Sequence, residues 1–261
     1  MKIMETLLKY KQELEKDGHT VLYIGLYGSQ NYNVDDEKSD IDAKVIVLPK
    51  LDDIVFRRTI SFVKEFEEGA CDVKDLITYY GIVKKGNFSF LEPFYSNYFI
   101  GDIFLRCLFK QIPVNKMSIL GGMLEKRKAL THEYPSKVKE FKEFGCDPKQ
   151  YHHIVRLYDM AMAEVKYAIS KTYPFLTYKG EAAQYMKNIK RDLNGKTLEF
   201  LIEDADKRIE EVRELFKTLD KYEEVNLESQ VGFYLKQKMR EELLNEKRWV
   251  RSTKDWKIER T

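Results

Sequence analysis

Asp40 and Asp42, separated by Ile41, and the upstream pair Gly28-Ser29 are the residues whose types and spacing most plainly carry chemistry. On an extended strand alternate side chains share a face, so both carboxylates can aim at one point while Ile41 packs behind them. Hard carboxylate oxygens are the ligands that magnesium takes. Such a pair suits displacement at phosphorus, where metal ions stabilise the charge on the attacking and leaving oxygens. A third carboxylate on a neighbouring strand would complete one metal site and accept the proton of an attacking hydroxyl. Asp72, between Cys71 and Val73, fits that place, with Asp75 and Glu68 as less well placed substitutes. The turn at Tyr27-Gly28-Ser29 supplies the phosphate side. Glycine lets the backbone come close, and the serine hydroxyl and nearby N–H groups can hydrogen-bond the β- and γ-phosphates of a triphosphate.

These residues need strands to hold them. Val21 to Tyr27 is a short β-branched and aromatic run ending at the Gly-Ser turn, and Ile41 to Leu48 is a second run closed by Pro49. A third short strand is expected over Ala70 to Val73. Ahead of them, Leu7, Leu8, Tyr10 and Leu14 recur at helical spacing until Asp17-Gly18 stops the pattern. Gln30 to Lys38 reads as a loop. Asp52 to Glu67 reads as a helix offering Ile54, Val55, Ile60, Phe62, Val63 and Phe66 to the core.

Beyond Lys74 the pattern is almost continuously helical: Leu76 to Lys85, Ile103 to Phe109, Met117 to Leu130, Tyr151 to Ser170, Glu181 to Lys190, Leu198 to Leu219 and Val231 to Trp249. Strands early and helices late predict an α+β chain: a small mixed β-sheet core with helices over residues 1–112, then a mostly α-helical domain over 113–261. The aromatic run Phe88, Phe90, Phe94, Tyr95, Tyr98 and Phe99 is expected to seal the contact between the two parts.

The 261 residues carry 45 Lys and Arg against 43 Asp and Glu, so bulk charge does not mark a nucleic-acid binder and any such binding must come from local patches. Three well-separated cysteines, Cys71, Cys107 and Cys146, suggest a reducing cytoplasm rather than a disulfide framework. Neither an export signal nor a membrane-spanning run is expected.

The order and spacing of Gly28-Ser29, Asp40-Ile41-Asp42 and Asp72 resemble the nucleotidyltransferases of the DNA polymerase β superfamily. That resemblance implies triphosphate binding by Gly28 and Ser29, metal binding and catalysis by Asp40 and Asp42, and Asp72 at the metal that activates the acceptor. The metal would be Mg²⁺, with Mn²⁺ as a substitute. Ala43-Lys44 departs from the pattern, which usually has a second apolar residue there.

The similarity extends to a bacterial and phage subfamily of nucleotidyltransferases through Lys85-Gly86-Asn87-Phe88 with Leu91-Glu92, and through Phe144 to Leu157, which looks like the motif G-Y-x-x-K-x-x-x-H-x-x-R-L. The first segment lacks the proline that often follows the asparagine, and Cys146 stands where tyrosine is common. A fainter likeness runs through Ile189 to Lys196, so residues 20 to 220 are covered with gaps. On a helix, Lys149, His153 and Arg156 fall at i, i+4 and i+7 and project from one face. Two readings of that face stand: a phosphate- and nucleotide-binding surface, or an interdomain network of hydrogen bonds and salt bridges. Asn87 and Glu92 would orient the base, the ribose or the cationic helix, whereas His152 reads as structural or exposed.

The expected activity is transfer of a nucleoside monophosphate from a nucleoside triphosphate to a hydroxyl, with an RNA 3′ end favoured over a small molecule or a protein side chain. The alternatives are a catalytically silent nucleotide- or RNA-binding module and a toxin-like enzyme of a defence system. The tail from Asn245 to Thr261 mixes Lys247, Arg248, Arg251, Lys254, Lys257 and Arg260 with Trp249 and Trp256, which suits a solvated helix end or a single-stranded nucleic acid.

Overall fold

A computed structural model describes residues 2–37, 39–166, 177–218, 221 and 223–255, and the side chains of 164–166 and 245–255 lie outside that description. The basic and tryptophan-bearing positions of the tail, from Lys247 to Arg260, all lie outside the described side chains. In chain order the elements are α1 (Lys2–Lys16), β1 (Val21–Tyr27), β2 (Asp42–Val47), α2 (Leu51–Val55), β3 (Ser61–Phe66), β4 (Gly69–Asp75), α3 (Leu76–Val83), α4 (Phe88–Tyr95), β5 (Phe99–Gly101), α5 (Ile103–Phe109), α6 (Lys116–Leu130), α7 (Val138–Phe144), α8 (Pro148–Lys166), α9 (Gly180–Asp192), α10 (Leu198–Lys217) and α11 (Glu228–Asp255). The chain is α+β, and no described helix is long and apolar enough to cross a membrane.

The five strands form one mixed sheet in the order β3-β4-β2-β1-β5. β2 and β4 run parallel and every other pair is antiparallel. One sheet face carries Ile24, Leu26, Ala43, Val45, Val47, Cys71 and Val73, and α1 closes it with Leu7, Tyr10 and Leu14. Alternation sends Tyr23, Tyr27, Asp42, Lys44, Ile46 and Asp72 to the opposite face, where α3 and α4 pack. Gly25 lets α4 approach, since a Cβ there would lie 2.8 Å from that of Pro93.

One element differs in kind from expectation. The helix expected over Asp52 to Glu67 is only α2, and Ser61–Phe66 is β3, an edge strand paired antiparallel with β4. Arg57 takes a left-handed φ of 52° just past the helix end, and Ser61–Phe66 bury alternately, with period two. Phe62 and Phe66 pack against the α1 cluster, while Val55 and Val63 face solvent. The short elements α4, β5 and α7 had no separate expectation, and Ser29–Tyr32 within the expected loop forms a 3-10 turn.

α8 is the axis of the helical part, burying Tyr151, Ile154, Leu157, Met160 and Ala161 among α6, α9 and α10. The core does not stop at residue 112. One continuous apolar cluster runs from Leu22 and Tyr23 through Tyr79, Phe94 and Phe109 to Met123, Tyr151, Met186, Leu201 and Tyr234. α11 returns to the first part of the chain: the Leu227 N–H donates to the Tyr80 hydroxyl at 2.9 Å, and Tyr234 donates to Asp102 at 2.9 Å.

Candidate active site

The end of β1, the start of β2, the first half of α8 and the last turn of α9 enclose a cavity of about 360 Å³. Gly28, Ser29, Asp40 and Asp42 line one side, and Lys149, His153 and Arg156 line another. Residues separated by more than a hundred positions in sequence thus meet in one place.

Gly28 has a φ of 106°, which lets β1 break sharply into the turn at Ser29. Its N–H does not point into the cavity. It donates to Oε1 of Glu92 at 2.8 Å, and Asn31 donates to the same oxygen at 2.9 Å. Glu92, on α4, is fully buried, and its other oxygen lies 3.9 Å from Nη1 of Arg156. Glu92 therefore ties the Gly-Ser turn to the cationic helix from behind rather than lining the cavity, while Ser29 lines the cavity itself.

Asp42 is the first residue of β2 and Asp40 precedes the strand. The backbone between them is anchored: the Ile41 N–H donates to the Glu68 carbonyl at 2.7 Å, and the Tyr10 hydroxyl donates to the Ile41 carbonyl at 3.1 Å. Ile41 packs into the α1 cluster. Asp42 accepts from the Ala70 N–H at 3.1 Å. Burial, helped by the Asp40 charge, pushes the Asp42 carboxyl above its ordinary range, against the Ala70 hydrogen bond and the charge of Lys149.

Asp72 stands on the same sheet face but is not among the residues lining the cavity. Its register partner on β2 is Lys44, whose ammonium binds it at 3.0 Å, and Lys74 binds its other oxygen at 2.8 Å. Burial works to raise the Asp72 carboxyl, but the charges and hydrogen bonds of Lys44 and Lys74 outweigh it and hold the group below its ordinary range. Lys44 is itself held between the rings of Tyr27 and Phe90, at 4.5 and 3.9 Å from their centres. At the Ala43-Lys44 departure a lysine two residues along β2 from Asp42, on the same sheet face, holds the expected third ligand. Among the described residues no three His, Cys, Asp or Glu side chains converge as a metal site. The two carboxylates that line the cavity still fit magnesium, which takes hard oxygens and commonly uses one or two carboxylates plus phosphate oxygens and water.

Arg156 stacks over the Tyr32 ring at 4.2 Å, and Lys149 is exposed at the cavity rim. His153 lines the cavity with its Nδ1 buried and without a hydrogen-bond partner, and burial holds its pKa well below the ordinary value. His152 is buried, with Nδ1 2.9 Å from the Met186 carbonyl, and burial pushes its pKa down to about 3. Asn87 lies elsewhere: it caps α4, accepting from the Ser89 N–H at 3.1 Å, and does not line the cavity. A cap satisfies an orphan N–H of the first turn, which is a structural task.

Three cations of the cavity had no assigned role in the sequence: Lys137, Lys190 and Arg191. Lys190 donates to the Ser39 hydroxyl at 3.0 Å, and Arg191 grips Asp36 through two bonds of 2.7 and 2.8 Å. The available signal was a lysine on an apolar stripe, since α9 buries Ala183, Met186, Ile189 and Lys190 on one face. A scan against protein-family models finds no match to this chain, and a search of curated proteins finds none.

Proposed function

We propose that this chain is a metal-dependent nucleotidyltransferase of the DNA polymerase β type. It would move a nucleoside monophosphate from a nucleoside triphosphate to a hydroxyl, with an RNA 3′ end as the favoured acceptor. The observation that carries this reading is the meeting of Asp40 and Asp42 with Ser29 on one side and the Lys149–Arg156 face on the other, in one cavity. Of the five cationic side chains that line it, Arg156, Arg191 and Lys137 each face a carboxylate behind the lining, and Lys149 and Lys190 have no carboxylate partner among the described residues, which suits a polyanionic substrate.

In the reaction the acceptor oxygen forms a bond to the α-phosphorus, the bond from that phosphorus to the bridging oxygen breaks, and pyrophosphate leaves. Asp40 and Asp42 would hold Mg²⁺ or Mn²⁺, which when bound would supply charge stabilisation for the attacking and leaving oxygens. Ser29, Lys149 and Arg156 bind phosphate oxygens and orient the triphosphate. The hydroxyl proton would pass to a carboxylate of the Asp40–Asp42 pair; Asp72 is already engaged by Lys44 and Lys74. His153 offers an imidazole kept neutral to the nucleotide or acceptor.

That engagement of Asp72 favours one second reading, a module that binds a nucleotide or RNA without transferring anything. Incubation with each α-labelled triphosphate, Mg²⁺ and RNA, small-molecule or protein acceptors separates the two. Label on an acceptor, lost in Asp40→Ala and Asp42→Ala, supports the transferase. Saturable triphosphate binding with no label on any acceptor supports the silent module instead.

A further inference from the structure

Asp40 precedes the first residue of β2, so the strand ladder does not fix its carboxylate. Its place depends on what holds the backbone before it. Gln30 donates to the Asp40 carbonyl at 2.7 Å, and the Ser39 hydroxyl donates to Asp36 at 3.0 Å. Two further contacts come from α9, more than 150 residues away in sequence: Lys190 to the Ser39 hydroxyl, and the two-pronged Arg191–Asp36 pair.

We propose that Lys190 and Arg191 are positioning residues for Asp40, a clamp by which α9 fixes one metal-binding carboxylate relative to the other. The role of Asp40 in this inference rests on the transferase reading. The clamp itself rests on geometry. A bidentate guanidinium–carboxylate pair fixes direction as well as distance. Lys190 is buried, with a neutral hydroxyl as its bonded partner, so moving Ser39 away would strand an ammonium with its hydrogen bond broken. The loss of aqueous solvation shows as a lysine pKa below its ordinary value. Arg191 is about half exposed, so removing its side chain opens no hole in the core. Helical and sheet parts would then cooperate in catalysis through two side chains that need never touch the metal.

The test is Mn²⁺ uptake by the full chain, read from the electron paramagnetic resonance of the free ion, with no nucleotide present. Arg191→Ala and Lys190→Gln are expected to weaken uptake about 10-fold, the usual scale for groups that orient a metal ligand. Arg191→Lys, which keeps the charge and loses the fork, should fall between Arg191→Ala and the wild type. Melting temperatures of the variants should stay within about 4 °C of wild type. Unchanged Mn²⁺ affinity in both Arg191→Ala and Lys190→Gln, or the tighter affinity that loss of a nearby cation alone would give, overturns the clamp and leaves the transferase reading intact. Weakened uptake in the variants with no label transfer by the wild type keeps the clamp and overturns the transferase. A wild-type chain that takes up no Mn²⁺ overturns the clamp's role and the metal dependence together.

Discussion

Glu92 concentrates more of the site's support than any carboxylate that faces the cavity. One buried side chain satisfies the Gly28 N–H and the Asn31 amide and stands beside the Arg156 guanidinium. Glu92→Ala would take the neighbouring carboxylate from that guanidinium and the acceptor from the Gly28 N–H, leaving the Asn31 amide only its bond to the Leu26 carbonyl. A loss of about 3–5 kcal/mol of stability is expected, measured by urea unfolding, and a loss below about 1 kcal/mol would contradict the assigned role. His152 gives a prediction in pH. Its folded pKa of about 3 lies below the ordinary 6.5, so protons bind the unfolded chain more tightly. Its contribution to stability is therefore present above pH 6.5 and is lost as the pH falls towards 3. Unfolding free energies for wild type and His152→Leu should differ in slope across that window, with the variant flatter. Parallel slopes would mean that the histidine is not held neutral by the fold.

At the scale of elements, the turn between β3 and β4 supports the carboxylates from below. Gly69 has a φ of 150°, and a Cβ there would lie 2.5 Å from the Ile41 carbonyl oxygen. Gly69→Ala should cost about 1–3 kcal/mol and disturb Asp40 and Asp42 together, seen as weaker Mn²⁺ uptake alongside a lower melting temperature. Wild-type uptake in that variant would show that the carboxylates do not depend on this turn. The elements nearest the chemistry were the most legible in sequence. β1 begins and ends at Val21 and Tyr27 as its apolar run does, and β2 follows the run from Ile41 to Leu48. β3 was not legible as a strand, because Phe62 and Phe66 satisfy helical spacing as well as alternation, and the exposed Val63 fits the helical spacing alone. Only the left-handed Arg57 and the pairing with β4 settle it. The site divides the same way. The positions of Gly28, Asp40 and Asp42 on strand ends could be read locally. The capture of Asp72 by Lys44 and Lys74, the cap role of Asn87 and the reach of Lys190 and Arg191 depend on register and packing across the fold.

For the whole molecule, the continuous cluster from Leu22 to Tyr234 joins the sheet to the helices without a break at residue 112. A fragment of residues 1–112 would expose the faces of Tyr79, Phe94 and Phe109 that the helical part covers. Such a fragment is expected to lack the dispersed amide NMR spectrum of a folded chain, whereas the full chain should unfold in a single transition by circular dichroism and tyrosine fluorescence. A folded fragment would show that the first part holds its own core. The same continuity brings α8 and α9 to the carboxylates, and the transferase reading depends on that encounter. Its most direct test is transfer of α-phosphorus label from a nucleoside triphosphate to an RNA 3′ hydroxyl by the wild type and by Asp42→Asn, both confirmed to be folded. Label is expected on the RNA with wild type and Mg²⁺, with a loss of at least about 100-fold in Asp42→Asn. Equal transfer by Asp42→Asn would contradict the transferase reading.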